Sequence, residues 1–161
     1  MSARDGRIDF VSGDGNGWVW CDLGHRHWGR FGAAGILITD GSHVVLQHRA
    51  GWTHEGDTWA LPGGARDSHE DSVAAALREA VEETTLDPAR VTPFAEWIDD
   101  HGGWSYTTVL ATAESRVDLA PANRESTAVI WWSVDAVDEL HLHSGFAAAW
   151  PHLRALIDRD A

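Results

Sequence analysis

The chain has 161 residues, 43% hydrophobic and 23% charged, which is the composition of one ordinary globular domain and not of a disordered, collagenous or coiled-coil chain. Twelve Lys and Arg against twenty-five Asp and Glu leave a formal net charge of −13, a field that repels nucleic-acid backbones and anionic lipid headgroups and attracts divalent cations. Cys21 is the single cysteine, MSARDGRIDF lacks the apolar core of a secretory signal, and the apolar stretch from Gly32 to Ile38 is too short to span a bilayer, so the expectation is a cytoplasmic protein that binds neither duplex nor membrane.

Residues 7–11 and 18–23 read as two short strands around the Gly-rich turn SGDGNG (12–17). GAAGILIT (32–39) is an apolar strand, Asp40-Gly41 a hairpin turn and VVLQHR (44–49) the return strand. AGWTHEGDT (50–58) is a polar loop. WALPGG (59–64) ends in a proline and two glycines, which do not continue a strand. Ser68 to about Thr85 reads as a helix. VTPFAEWID (91–99) and WSYTTVLAT (104–112) are strands flanking the turn Asp100-His101-Gly102-Gly103, and AVIWWS (128–133) is a further strand. A short helix is expected at 134–140, and a longer one at 144–158 with a kink or restart at Pro151. Strands mixed with two main helices imply an α/β or α+β sandwich.

The first long helix carries the chemical signal. Ser68 followed by Asp71 resembles a capping box, AAALREA (74–80) is rich in helix formers, and Asp87-Pro88 ends the element. At about 100° per residue, Glu79, Glu82 and Glu83 share an arc of roughly 100°, with Val73, Leu77, Ala80 and Val81 on the far side. The expectation is an apolar back for packing and an acidic front. A solvated charged face is the ordinary fate of such residues. Their mutual repulsion is relieved by a cation, and hard carboxylate oxygens suit Mg²⁺ or Mn²⁺.

The run GARDSHEDSVAAALREAVEETTL (64–86) resembles the Nudix box, with Gly64, Glu70, Arg78, Glu79, Glu82 and Glu83 at the pattern's spacing and Leu86 in its final apolar slot. Thr85 departs from the pattern, which has glycine there, and small Ala80 fills an internal apolar position. Glycine at 85 would permit a positive φ where the helix ends, so the turn after the helix is expected to differ. The flanking QHR (47–49), WALPGG (59–64) and NRES (123–126), with the ending HLHSGFAAAWPHLRAL (141–156), extend the likeness from about residue 32 to 157. It implies the Nudix fold, a mixed β-sheet sandwiched between helices, spanning 32–161, with residues 1–31 as an added N-terminal β-hairpin.

The same resemblance implies a hydrolase of nucleoside diphosphates linked to another group, by water attack on phosphorus. It makes Glu82 and Glu83 the main ligands of Mg²⁺, with Mn²⁺ as the alternative. Glu79 coordinates as well or acts as general base, the Gly64 carbonyl completes the sphere, and Glu125 binds metal or positions the water. Glu70 and Arg78 are implied to form a salt bridge that holds the box loop, and Arg49 to face phosphate. Trp52, Trp59 and Trp104 border the expected cleft, where indole rings suit stacking on a base; core packing is the competing role for each of the ten tryptophans. The expected partner is a small-molecule nucleotide, with a homodimer left open.

Cys21, His25 and His27 form Cys-x₃-His-x-His, which offers three zinc ligands where a structural site needs four. His141 and His143 read as polar surface. Tyr106 and Gly102-Gly103 stand where some related enzymes select substrate. Two other functions compete. A non-catalytic nucleotide sensor of the same fold commonly loses box glutamates, which this chain keeps. A prenyl-diphosphate isomerase needs an active-site cysteine, and Cys21 is far in sequence from the box.

Overall fold

The computed structural model describes residues 13–160. Strand β1 (Trp18–Trp20) pairs antiparallel with β2 (Arg26–Trp28), and the turn between them is closed by the Cys21 N–H donating to the His25 carbonyl at 2.9 Å. The strand expected at 7–11 lies outside the described residues. The partner of 18–20 is a segment too short and too polar to announce itself.

β3 (Ala33–Thr39) is buried along its whole length, as its unbroken apolar run requires of a strand covered on both faces. β4 (His43–Arg49) returns from it through a turn in which the Asp40 carboxylate accepts from the Ser42 and His43 N–H groups and Gly41 takes a φ of 98°. The two strands pair only at Thr39 and Val44, next to that turn, and then take different neighbours. β5 (Trp59–Ala60) lies on β4, while β6 (Gly63–Ala65) lies antiparallel on β3. The sheet therefore divides, with Leu61 and Pro62 crossing between its halves.

The two glycines after Pro62 were expected to end a strand, yet both sit in β6. The reason is close approach. A Cβ on Gly63 or on Gly35 opposite it would stand within 2.5 Å of the Tyr106 hydroxyl. β7 (Val91–Asp100) and β8 (Ser105–Ala113) form an antiparallel pair, with β8 parallel to β3 from Ala33 to Thr39, and β9 (Ser126–Ser133) closes the other side against β4. Among the described residues these seven strands, β3 to β9, make one mixed sheet.

Helix α1 (Ser72–Glu83) covers one face of the sheet and α2 (Ser144–Asp160) the other. Ile36, Ile38, Val45 and Val109 meet Ala75, Ala76 and Ala80 of α1, while Leu37, Leu46 and Leu110 meet Phe146, Trp150, Leu153 and Ile157 of α2. The alternation along β3 sends successive side chains to opposite cores. α2 runs through Pro151 as one helix, held by these buried side chains on either side of it. The mixed sheet between helices, with the small N-terminal hairpin added, is the fold expected from the sequence. No helix among the described residues is long and apolar enough to cross a membrane.

Two expectations for α1 are corrected. Its N-cap is Asp71, whose carboxylate accepts from the Ala74 N–H at 2.8 Å, and Ser68 is instead bound to Asp14. Val73, Leu77 and Ala80 pack on the sheet as expected, but the face is shifted away from Val81. The buried residues are Ala75, Ala76, Ala80 and Glu83, and Val81 is 45% exposed. Small alanines bring the helix close to the sheet, so the acidic stripe lies at the edge of the packing face and not opposite it.

Candidate active site

The loop that leads into α1 is organised by one guanidinium. Arg78 Nε and Nη2 donate to the two oxygens of Glu70 at 2.7 and 2.8 Å, and Nη2 also donates to the Ala65 carbonyl at 3.0 Å. The Asp67 N–H donates to Glu70 Oε1, so the carboxylate is tied to the loop as well as to the helix. The Arg78 fork holds the Glu70 carboxyl below its ordinary value, and Glu70 in turn raises Arg78 further. From the other side, Arg78 Nη1 reaches Glu79 at 3.0 Å and Glu82 at 3.3 Å.

The glycine-rich segment 13–17 lies across this loop. Gly15 N–H donates to Asp67 Oδ1 at 2.8 Å, and Asp14 accepts from both the N–H and the hydroxyl of Ser68. A Cβ on Gly15 would fall 2.0 Å from the Arg66 carbonyl oxygen.

Glu79 and Glu83 stand one helical turn apart at the mouth of the divided sheet. Glu83 is only 7% exposed, and its Oε2 accepts from the Gly63 N–H at 2.8 Å. Glu79 lies against Gly64, where a Cβ would stand 2.5 Å from the Glu79 carboxyl carbon. Burial and the neighbouring Glu82 push the Glu79 carboxyl up to about 7; burial and Glu79 push that of Glu83 up to about 8. Glu82 is exposed at the rim. Glu125, also exposed, is close enough to raise the carboxyls of both Glu79 and Glu83.

The segment bearing Glu125 is fastened over the end of α1. Ala122 N–H donates to the Glu83 carbonyl, Asn123 Nδ2 to the Glu82 carbonyl, and Ala120 exchanges two hydrogen bonds with Thr85. Thr85 is thereby accommodated without a positive φ, because the helix ends on Thr84 in an extended conformation. Ala50 N–H donates to the Glu125 carbonyl at 2.8 Å, which joins this segment to the end of β4.

Other candidates are distributed differently. Arg49 donates through Nε to the His54 carbonyl at 2.9 Å, and its charge is felt by Tyr106. Tyr106 also feels Glu83 and Glu79, and burial drives its hydroxyl well above the usual range. Trp59 leans on His48 at a centroid distance of 4.8 Å and packs against the α2 core. Trp104 is stacked on His27 at 3.9 Å, beside the N-terminal hairpin. His143 is not surface as expected. It is partly buried and paired with Glu55 at 3.1 Å, and Glu55 also accepts from the N–H and hydroxyl of Ser144 at the start of α2.

Sequence reasoning missed the Gly63 N–H and Gln47. Gln47 is 2% exposed, its Oε1 has no hydrogen-bond partner among the described residues, and its side chain adjoins Glu83. The available signal was an amide inside the apolar strand VVLQHR.

The donors gathered here are oxygens, chiefly carboxylates, with Arg78 already engaged by Glu70. Two of the carboxylates, Glu79 and Glu83, resist ionisation because burial and the neighbouring carboxylates oppose their charge. A hard divalent cation offsets that opposition, and the donor set fits one.

A family model described as the NUDIX domain matches residues 29–155. A protein of Mycobacterium tuberculosis (strain H37Rv), provisionally named 8-oxo-dGTP diphosphatase 3, is 48% identical over 155 residues, covering 89% of this chain and 71% of its own. The crystal structure of the Nudix hydrolase RenU from M. smegmatis superposes with a TM-score of 0.83 at 44% identity, covering 90% of this chain and 96% of that one. An Ap4A hydrolase from C. elegans, at 20% identity and a TM-score of 0.63 over 78% of this chain and 98% of its own, shares the fold.

Proposed function

This chain belongs to the Nudix hydrolase family and is a pyrophosphohydrolase, and from that premise we propose its substrate class, its ion and its working residues. The substrate is a nucleoside triphosphate or another nucleoside diphosphate derivative. 8-oxo-dGTP is the first candidate, because the mycobacterial relative is named for it. A water oxygen bonds to phosphorus, the bridging P–O bond breaks with its electron pair going to the departing phosphate oxygen, and the water's protons pass to a base and to solvent.

Glu79, Glu82, Glu83 and Glu125, with the Gly64 carbonyl, would hold Mg²⁺, or Mn²⁺ as the alternative. Such an ion, when bound, shields the phosphate oxygens and lowers the pKa of water. Glu79 shares the roles of ligand and general base. Arg49 presents a guanidinium suited to phosphate. Glu70 and Arg78 keep the loop and the helix in register, and so position the carboxylates without touching substrate. Trp59 and Trp104 have their rings engaged with His48 and His27 and are left out of this assignment. We also take residues 32–161 as the catalytic domain and the preceding segment as an addition to it.

The observation that carries the reading is the pair of carboxylates, half-buried Glu79 and buried Glu83, set against the glycines of β6. The test is a panel of nucleotides, with 8-oxo-dGTP, ordinary dNTPs, dinucleoside polyphosphates and nucleotide sugars, incubated with Mg²⁺ and read for nucleoside monophosphate and pyrophosphate or phosphate. Hydrolysis of at least one, abolished by EDTA and restored by Mg²⁺, is expected. Turnover that survives full chelation overturns the metal assignment.

A further inference from the structure

We propose that Cys21, His25, His27 and His101 form a tetrahedral structural zinc site that fastens the β1–β2 hairpin to the β7–β8 turn. One ligand atom from each of the four lies within 4.8 Å of all the others. The sequence alone offered three of them. Folding supplies the fourth, because the Asp22 N–H donates to the Gly102 carbonyl at 2.8 Å and so draws the β7–β8 turn onto the hairpin.

The hairpin presents its three ligands on one face. Cys21 lies opposite His25 across the turn, with its N–H on the His25 carbonyl, and His27 follows two residues later at the strand period. Cys21 is 6% exposed. Two ring nitrogens in the cluster, His27 Nε2 and His101 Nδ1, are shielded from solvent and have no hydrogen-bond partner among the described residues. Buried polar atoms are seldom left so, and a bound cation satisfies a bare imidazole nitrogen.

The orientation of His101 makes the same point. Its outer nitrogen, Nε2, lies 3.1 Å from the Asp99 carboxylate, which leaves Nδ1 aimed inward. A carboxylate behind a ligating histidine is the usual second support of a zinc site, since it fixes the ring and strengthens its donor nitrogen. Trp104 is stacked on His27, nearly parallel at 6°, and walls off one side.

One soft thiolate and three imidazoles are a donor set for zinc and a poor one for Mg²⁺. A tetrahedral zinc centre places such donors roughly 3.3–3.7 Å apart. All four positions are filled by protein, so the site is structural and separate from the box carboxylates.

The test uses the whole chain purified without chelator. About one zinc per chain, retained through dialysis against Mg²⁺ buffer, is expected by elemental analysis. Cobalt substitution is expected to give the visible bands of tetrahedral coordination and a near-ultraviolet thiolate charge-transfer band. Both signals should vanish in Cys21→Ser and persist in the Glu82→Gln/Glu83→Gln double variant. Should Cys21→Ser fail to fold, wild-type Cys21 reports instead: it is shielded from a thiol reagent when zinc is bound and reactive after a strong chelator. The proposal is overturned by a cobalt spectrum without these bands, by metal retained in folded Cys21→Ser, by metal lost in the glutamate double variant, or by thiol reactivity indifferent to zinc.

Discussion

Gly64 and Glu79 occupy the same space up to a single carbon: a Cβ on the glycine would stand 2.5 Å from the glutamate's carboxyl carbon. The backbone at Gly64 takes no positive φ, so alanine is tolerated conformationally and the nearest conflict is with the carboxylate. Gly64→Ala is expected to displace Glu79, lower kcat by about 10-fold or more, and weaken Mg²⁺ binding. Circular dichroism should show the fold retained, and a metal titration with a kinetic assay checks the rest. Unchanged kcat and metal affinity would show that the contact has no bearing on turnover.

Glu83→Gln preserves an acceptor for the Gly63 N–H and removes a charge from a buried position. Turnover should fall by about 100-fold or more, as expected for a lost charged group at the reaction centre. In the metal-free protein at about pH 8.5 the variant should be more stable than the parent by at least about 1 kcal/mol, because burial opposes that ionised carboxyl. Denaturant titration in EDTA measures the second effect independently of the first.

Metal and pH should act on stability together. Glu79 and Glu83 have folded pKa values raised to about 7 and about 8 from 4.5. The folded state therefore holds protons that the unfolded chain has released. This contribution is full below pH 4.5 and lost as pH rises through 7 and 8. The EDTA-treated protein should accordingly melt at a lower temperature near pH 8.5 than near pH 6, and the gap should narrow in Glu83→Gln. Mg²⁺ at about 100 times its Kd adds about 2.7 kcal/mol, roughly 5–10 °C in Tm, and less at the lower pH, where protons compete. Scanning calorimetry at both pH values with and without Mg²⁺ distinguishes these outcomes; an equal Mg²⁺ shift at both would contradict the coupling.

Arg78→Lys removes the two-pronged contact to Glu70 while keeping the charge. Arg78→Ala also leaves the Glu70 carboxylate, 7% exposed, without its cation, at a cost of about 3 kcal/mol. Urea titration should rank the parent above the lysine variant and that above the alanine variant. The depressed Glu70 pKa has the opposite sign from its neighbours. Its stabilisation is present above the unfolded value of 4.5 and is lost as pH falls through the folded value, so the parent should lose part of its advantage over Arg78→Ala in acid.

The strands of the sheet were legible because their apolar runs and turn residues are local: 32–39, 44–49, 91–99, 104–112 and 128–133 each fall on an observed strand to within about two residues. What escaped depends on distant parts of the chain. Ser68 looked like a helix cap until Asp14 took its hydroxyl. On α1 the expected Val73, Leu77 and Ala80 do pack on the sheet, but the helical wheel also favoured Val81, where close approach to the sheet favours Ala75 and Ala76. At the site, spacing alone put Glu79, Glu82 and Glu83 on one arc. That Gly63 would offer its N–H to Glu83, or that His101 would arrive beside Cys21, required the divided sheet and the β7–β8 turn to be in place.

The strap formed by Gly13 to Gly17 has a practical corollary. It braces Asp67 and Ser68 from residues that precede the matched span of 29–155. A protein trimmed to that span would carry every glutamate of the motif and still lack the clasp on the loop that aims them. Loss of catalytic vigour on such trimming would then report slackened geometry, with the chemistry itself intact.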